Sequence, residues 1–350
     1  MSETASSVPS RRRRLTRLAA GCAVLAASIG YVVAQQSTGS GAPGCTVRAA
    51  SGGGPVYELS NEQAANAATI SAVGTTRGLP SRAVTIALAT ALQESALRNI
   101  RHGDRDSLGL FQQRPSKGWG TAEQIMDPVY SAGKFYDGLV EVPGYSRLPL
   151  TVAAQKVQRS GFPQAYAKHE PNAALLSAAL TGRAGAALRC VPGGDGEAGD
   201  PARVRSELVR AFGPSVLPKG AAGAGTESAR GGGEDGAAVV TVPVRASGAG
   251  GRTEGGPART AASGTGTGTG TTDTTGTADG DRRRADERSD DRGWEVAHWA
   301  VARAERLRIA EVSYDGRLWR AGESGGGWRE GEVKEPGRTA GGEVRIRLAH

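Results

Sequence analysis

Residues 87–120 read ALATALQESALRNIRHGDRDSLGLFQQRPSKGWG. From Ser81 to Arg98 the residues Val84, Leu88, Ala91, Leu92 and Ser95 recur on one side of a helix. Glu94 lies near the end of that helix. A polar loop, NIRHGDRDS, follows, and then a short apolar element from Leu108 to Gln113. A carboxyl group on an apolar helix end, facing a cleft, has its charged form disfavoured and can stay protonated near neutral pH. That is the state from which a carboxyl group can act as a general acid.

Working outward, one helix is predicted from near Ser60 to about Thr76. Ser60 and Gln63 have capping-box spacing, and Gly78-Leu79-Pro80 ends it. Further helices are predicted at Pro128 to Val140, Thr151 to Arg159 and Gln164 to Leu180. The expectation is an all-α, bundle-like domain over residues 55–190, large enough for one core.

The remainder is less dense. Glycine makes up 53 of the 350 residues and aromatics only 5%, so part of the chain must be linker. Residues 1–17 are polar and then basic, with Arg11 to Arg14 in a row, and 18–34 are uncharged and apolar. That order predicts a cytoplasmic N-terminus and a membrane anchor or signal sequence, the rest lying outside the cell. Residues 35–54 are predicted as a linker, and 191–292 as a low-complexity, disordered, Gly/Thr-rich tether in which Pro201 to Phe212 could form one helix. Residues 293–350 hold four of the five Trp. They predict a small α/β module: a helical stripe of Trp294, Ala297, Val301, Ala304 and Leu307, a hairpin turning at Asp315-Gly316, and a last strand alternating Val344, Ile346 and Leu348. The expected fold class is therefore mainly α, with this module appended. Beyond the apolar segment only Cys45 and Cys190 remain, an even pair that in an oxidising compartment predicts a disulfide.

Several functions are disfavoured. The net charge is +8, but no basic face interleaved with aromatics suits nucleic acid. His102, His169, His298 and His350 have no metal-ligand spacing. No phosphate loop or Ser-His-Asp set emerges. One apolar segment does not make a transporter. Neither metal nor cofactor is expected.

Glu94-Ser95 on a helix, followed after a loop by Ser107-Leu108-Gly109-Leu110-Phe111-Gln112, resembles the lysozyme-like superfamily of lytic transglycosylases and goose-type lysozymes. The chain looks most like secreted or membrane-anchored actinobacterial members. The resemblance spans roughly residues 55–185. It implies a partner, peptidoglycan, and a single Glu94 acting first as acid and then as base. It also implies that Gly109 lets the backbone pass close to a sugar, that Gln112 lines the cleft, and that Ser107 sits beside the acid.

Two departures stand out. The family's A-Y-N-x-G block has no clear counterpart: Gln155 or Gln158 could replace its Asn, and Tyr166 is either a cleft tyrosine or a packing residue. Asp104 and Asp106 are candidates for a second carboxylate or are turn formers. Without a second carboxylate the resemblance favours the transglycosylase mechanism, in which the sugar's own 6-hydroxyl attacks. Trp119 either stacks on a sugar or packs. The C-terminal segment looks like an ancillary domain of wall hydrolases, but its last strand carries Arg345 and Arg347 where zinc-dependent relatives have His ligands.

Overall fold

The computed structural model describes residues 42–49, 53–160, 163–194, 197–217, 237–244, 290–323, 327–331 and 342–350. The basic N-terminus, the apolar run 18–34 and the Gly/Thr repeat lie outside the described residues. No helix among the described residues is long and apolar enough to cross a membrane.

Two Ala-rich helices carry the core. Helix α1 (Asn61–Thr76) opens with the capping box: the Ser60 hydroxyl accepts from the Gln63 N–H, and the Gln63 side chain accepts from the Ser60 N–H. Helix α2 (Ser81–Ser95) runs beside it. Small side chains such as Ala64, Ala67, Ala87 and Ala91 let neighbours approach from several sides, so both helices are buried nearly throughout. Helices α3 (Ala122–Ile125), α4 (Pro128–Val140), α5 (Leu150–Gln158) and α6 (Glu170–Leu180) complete this body, with a 3-10 segment at Pro163–His169 before α6. The Phe111 ring stacks on Phe135 of α4 at 4.7 Å.

The expectation of a mainly α chain is corrected. The described residues are 49% helical and 17% strand, with two antiparallel sheets, so the fold is mixed α/β. The first sheet orders β2 (Val56–Leu59), β1 (Gly44–Arg48) and β3 (Leu188–Val191), with β1 at its centre. β1 lies in the stretch expected as linker. Only Cys45 and Val47 point inward, too few to register as an alternation. One of its partners is also remote in sequence. Cys45 and Cys190 face each other across β1 and β3 and are disulfide-bonded, 145 residues apart. Closing so long a loop contributes on the order of 5 kcal/mol in the chain-entropy account.

The second sheet orders β4 (Val239–Pro243), β8 (Glu343–Leu348), β5 (Ile309–Tyr314), β6 (Arg317–Arg320) and β7 (Arg329–Glu330). β4 comes from inside the stretch expected to be disordered and pairs with the last strand. Helix α7 (Pro201–Phe212), also in that stretch, packs on α1. The β5–β6 hairpin turns through Asp315 and Gly316, both at positive φ (48° and 67°) as a type I′ turn requires.

The C-terminal segment does not stand apart. Helix α8 (residues 290–302) is buried along most of its length, and α9 (Ala304–Leu307) follows it. The His298 ring meets the Ala179 carbonyl at 2.8 Å, and Glu295 accepts a hydrogen bond from the Thr75 hydroxyl. Arg303 reaches Glu207 and Thr69 at 2.9 and 2.5 Å. The Trp319 and Trp328 indoles donate to the Cys190 and Leu188 carbonyls along β3. The described residues, 42 onward, accordingly form one compact unit.

Candidate active site

Glu94 occupies the last turn of α2 and is half-buried. The residues after Ser95 do not continue the helix. Ala96 (φ 53°) and Leu97 (φ 60°) both adopt the left-handed conformation, and the Leu97 N–H returns to the Ala91 carbonyl. The Ser95 hydroxyl donates to the Leu110 carbonyl at 2.8 Å, which fastens the helix end to the GLFQ segment.

Two groups meet the carboxylate. Tyr166, buried on the 3-10 segment, donates from its hydroxyl to Glu94 Oε1 at 2.7 Å. Gln158, the last residue of α5, also hydrogen-bonds Glu94, and its Nε2 donates to the Phe111 carbonyl at 2.8 Å. Burial pushes the Glu94 pKa up, while the bonds from Tyr166 and Gln158 pull it back in part. Both partners are neutral, so they hold the carboxylate without fixing it in the charged form. Beside Glu94, the Gln93 side-chain oxygen lies 3.1 Å from His169 Nε2. Burial, and then the neighbouring Lys168, hold His169 below the usual imidazole range.

The structure separates the two glutamines that sequence left open. Gln155 donates to the Ser160 carbonyl at 2.7 Å and so serves the end of its own helix. Gln158 faces the acid.

The GLFQ segment is a tight loop closed by a bridge between Leu108 and Gln113. Gly109 sits at φ 75°, and a β-carbon there would lie 2.8 Å from the Ile125 carbonyl oxygen, so this position needs glycine for packing as well as conformation. Ser107 is buried. Gln112, at φ 47°, turns its amide back onto the loop and donates to the His102 and Gly109 carbonyls at 3.3 Å each. The amide bonded to Glu94 comes from Gln158 instead.

Neither loop aspartate shares a partner with Glu94 among the described contacts. Asp106 accepts from Arg114 Nε (2.8 Å), the Ser116 N–H (2.8 Å) and the Ser116 hydroxyl (3.0 Å). These bonds, Arg114 foremost, hold its carboxyl well below the usual carboxylate range. It clips the loop to the turn that follows. Asp104 is exposed, 4.0 Å from Arg105 Nε. Trp119 is half-buried, its carbonyl accepting from the Tyr130 hydroxyl at 3.2 Å, and its ring lies over Gly138 of α4.

Sequence spacing marks neither Gln93 nor Asn66, and it marks Gln63 only as a helix cap and His169 only as a histidine without metal-ligand spacing. Among the described residues no group of three or more His, Cys, Asp or Glu could hold a metal ion. A cavity of about 670 Å³ lies elsewhere, between the start of α1, the start of α7 and α9, and Glu94 is not among its walls.

A family model described as the VldE C-terminal domain matches residues 253–340, about a quarter of the chain. That match takes in most of the C-terminal segment, stops before β8 and leaves the Glu94 neighbourhood out. No curated protein matches the chain.

Proposed function

We propose that the chain cleaves the glycan strand of peptidoglycan between MurNAc and GlcNAc, with Glu94 as the single acid/base. The observation that carries this reading is the half-buried Glu94 on a helix end, hydrogen-bonded by Tyr166 and Gln158, with no cation among its partners in the described residues. The resemblance of Glu94-Ser95 and Ser107–Gln112 to the lysozyme-like superfamily supplies the substrate class.

In the first step the Glu94 carboxyl protonates the bridging oxygen as the bond from MurNAc C1 to that oxygen breaks. The departing GlcNAc takes the proton as its hydroxyl. Tyr166 and Gln158 hold the carboxylate that results. In the second step the MurNAc 6-hydroxyl adds to C1 and gives its proton to that carboxylate, which restores the acid and leaves a 1,6-anhydro end. The engagement of Asp106 by Arg114 and Ser116, and the exposure of Asp104, favour this route over one that needs a second carboxylate to activate water. The disulfide is consistent with an extracellular site of action, anchored or secreted.

A second reading, a wall-binding protein without turnover, is favoured by one observation. The Gln112 amide is spent on its own loop rather than on the acid. Purified protein and a Glu94→Gln variant, incubated with purified peptidoglycan, separate the two. Anhydro-ended fragments from the wild type, reduced at least about 1000-fold in the variant, support cleavage. Binding of both proteins without fragments from either supports the second reading.

A further inference from the structure

The end of α2 carries two features that the proposed chemistry leaves unexplained. Helices commonly stop on a glycine in the left-handed conformation. Here two successive residues, Ala96 and Leu97, take that conformation without being glycine, and Leu97 is fully buried. Such a turn persists only where its surroundings over-determine it.

The surroundings are two amide side chains from α1. Asn66 Nδ2 donates to the Leu97 carbonyl and Gln63 Nε2 to the Ala96 carbonyl, each at 2.8 Å. Gln63 and Asn66 are three apart and so share one face of α1. Gln63 is itself oriented, because its Oε1 accepts from the Ser60 N–H at 2.8 Å in the capping box. Asn66 is buried in an otherwise Ala-rich helix, where an amide is costly unless it is bonded. Two consecutive carbonyls, two and three residues beyond Glu94, are thus pinned to the neighbouring helix.

We infer that Asn66, together with Gln63, is a positioning residue for Glu94: the pair holds the left-handed turn that keeps the carboxyl at Tyr166 and Gln158. The activity arm of this inference rests on the glycosidase reading. The placement of Glu94 does not, and it can be read separately.

The test compares wild type with Asn66→Leu and Gln63→Met, neutral replacements of similar size that lack the donor. The titration of Glu94 is followed by carboxyl-carbon NMR, with the resonance assigned by its loss in Glu94→Gln. Released from the turn, the carboxyl gains water, so its midpoint moves to lower pH in both variants. On peptidoglycan, kcat falls about 10-fold or more with KM unchanged, as expected for a misplaced acid. The alkaline limb of the rate profile moves to lower pH. A role in stability alone lowers the melting temperature and leaves the midpoint and the limb in place.

A wild-type midpoint in both variants overturns the inference, whatever the activity. If Asn66→Leu does not fold, Gln63→Met, at a half-exposed position, decides alone. If the midpoint moves but the wild type releases no glycan fragments, the positioning stands and the glycosidase reading falls.

Discussion

Glu94 and Glu295 are both removed from water, and burial raises the pKa of each, yet their neighbours differ in kind. Glu295, on α8, is 4% exposed and receives the Thr75 hydroxyl and a salt bridge from Arg292 at 2.8 Å. The Arg292 charge opposes the effect of burial there. Glu94 has Tyr166 and Gln158, both neutral. A cation favours the charged form of a buried carboxylate and ties it into the framework. Neutral donors leave both protonation states within reach, which a group that gives and retakes a proton requires.

That contrast can be broken in three ways. The largest expected effect is at Glu295. Glu295→Ala leaves the half-buried Arg292 without this counter-charge and costs about 3 kcal/mol of stability, read as a fall in melting temperature. The residual folded fraction keeps the wild-type pH profile. A shifted profile instead makes Glu295 part of the chemistry and erases the distinction.

Next comes Tyr166→Phe. Removing the donor that favours the carboxylate raises the Glu94 pKa further, so the alkaline limb of cleavage moves to higher pH, opposite to Asn66→Leu. The rate at neutral pH falls about 10-fold, as for loss of one charge-assisted bond. An unchanged limb removes Tyr166 from the carboxylate's environment.

The smallest effect concerns stability. A carboxyl whose pKa is raised on folding contributes stability that is full below its unfolded pKa and lost as pH rises through the folded one. Glu94→Gln removes that loss, so at pH 7 its melting temperature rises slightly. A clear fall in melting temperature shows that Glu94 is framework after all.

Much of this was legible along the chain, and the reasons are local. The capping box of Ser60 and Gln63 spans one helical turn, and the position of Glu94 at the end of an apolar face follows from helical spacing. What could not be read was non-local. β1 pairs with β3 about 140 residues later, so its two inward residues gave no local signal. The stripe on α8 predicted a helix, but not that His298 and Arg303 would be buried against α6, α7 and α1. Gln155 and Gln158 lie on one short helix, and only the placement of Tyr166 and Phe111 shows which of them faces the acid. Asn66 resembles any polar interruption in an Ala-rich helix until the turn at Leu97 is seen beside it.

The central claim is that Glu94 delivers the proton. The direct measurement is the rate of release of anhydro-ended fragments from purified peptidoglycan across pH, set beside the titration of Glu94 in the same protein. Proton delivery by Glu94 requires a rate that falls as pH rises, through one ionisation that coincides with that of Glu94, and no such activity in Glu94→Gln. A rate that rises through the Glu94 midpoint, or one that survives Glu94→Gln, contradicts it.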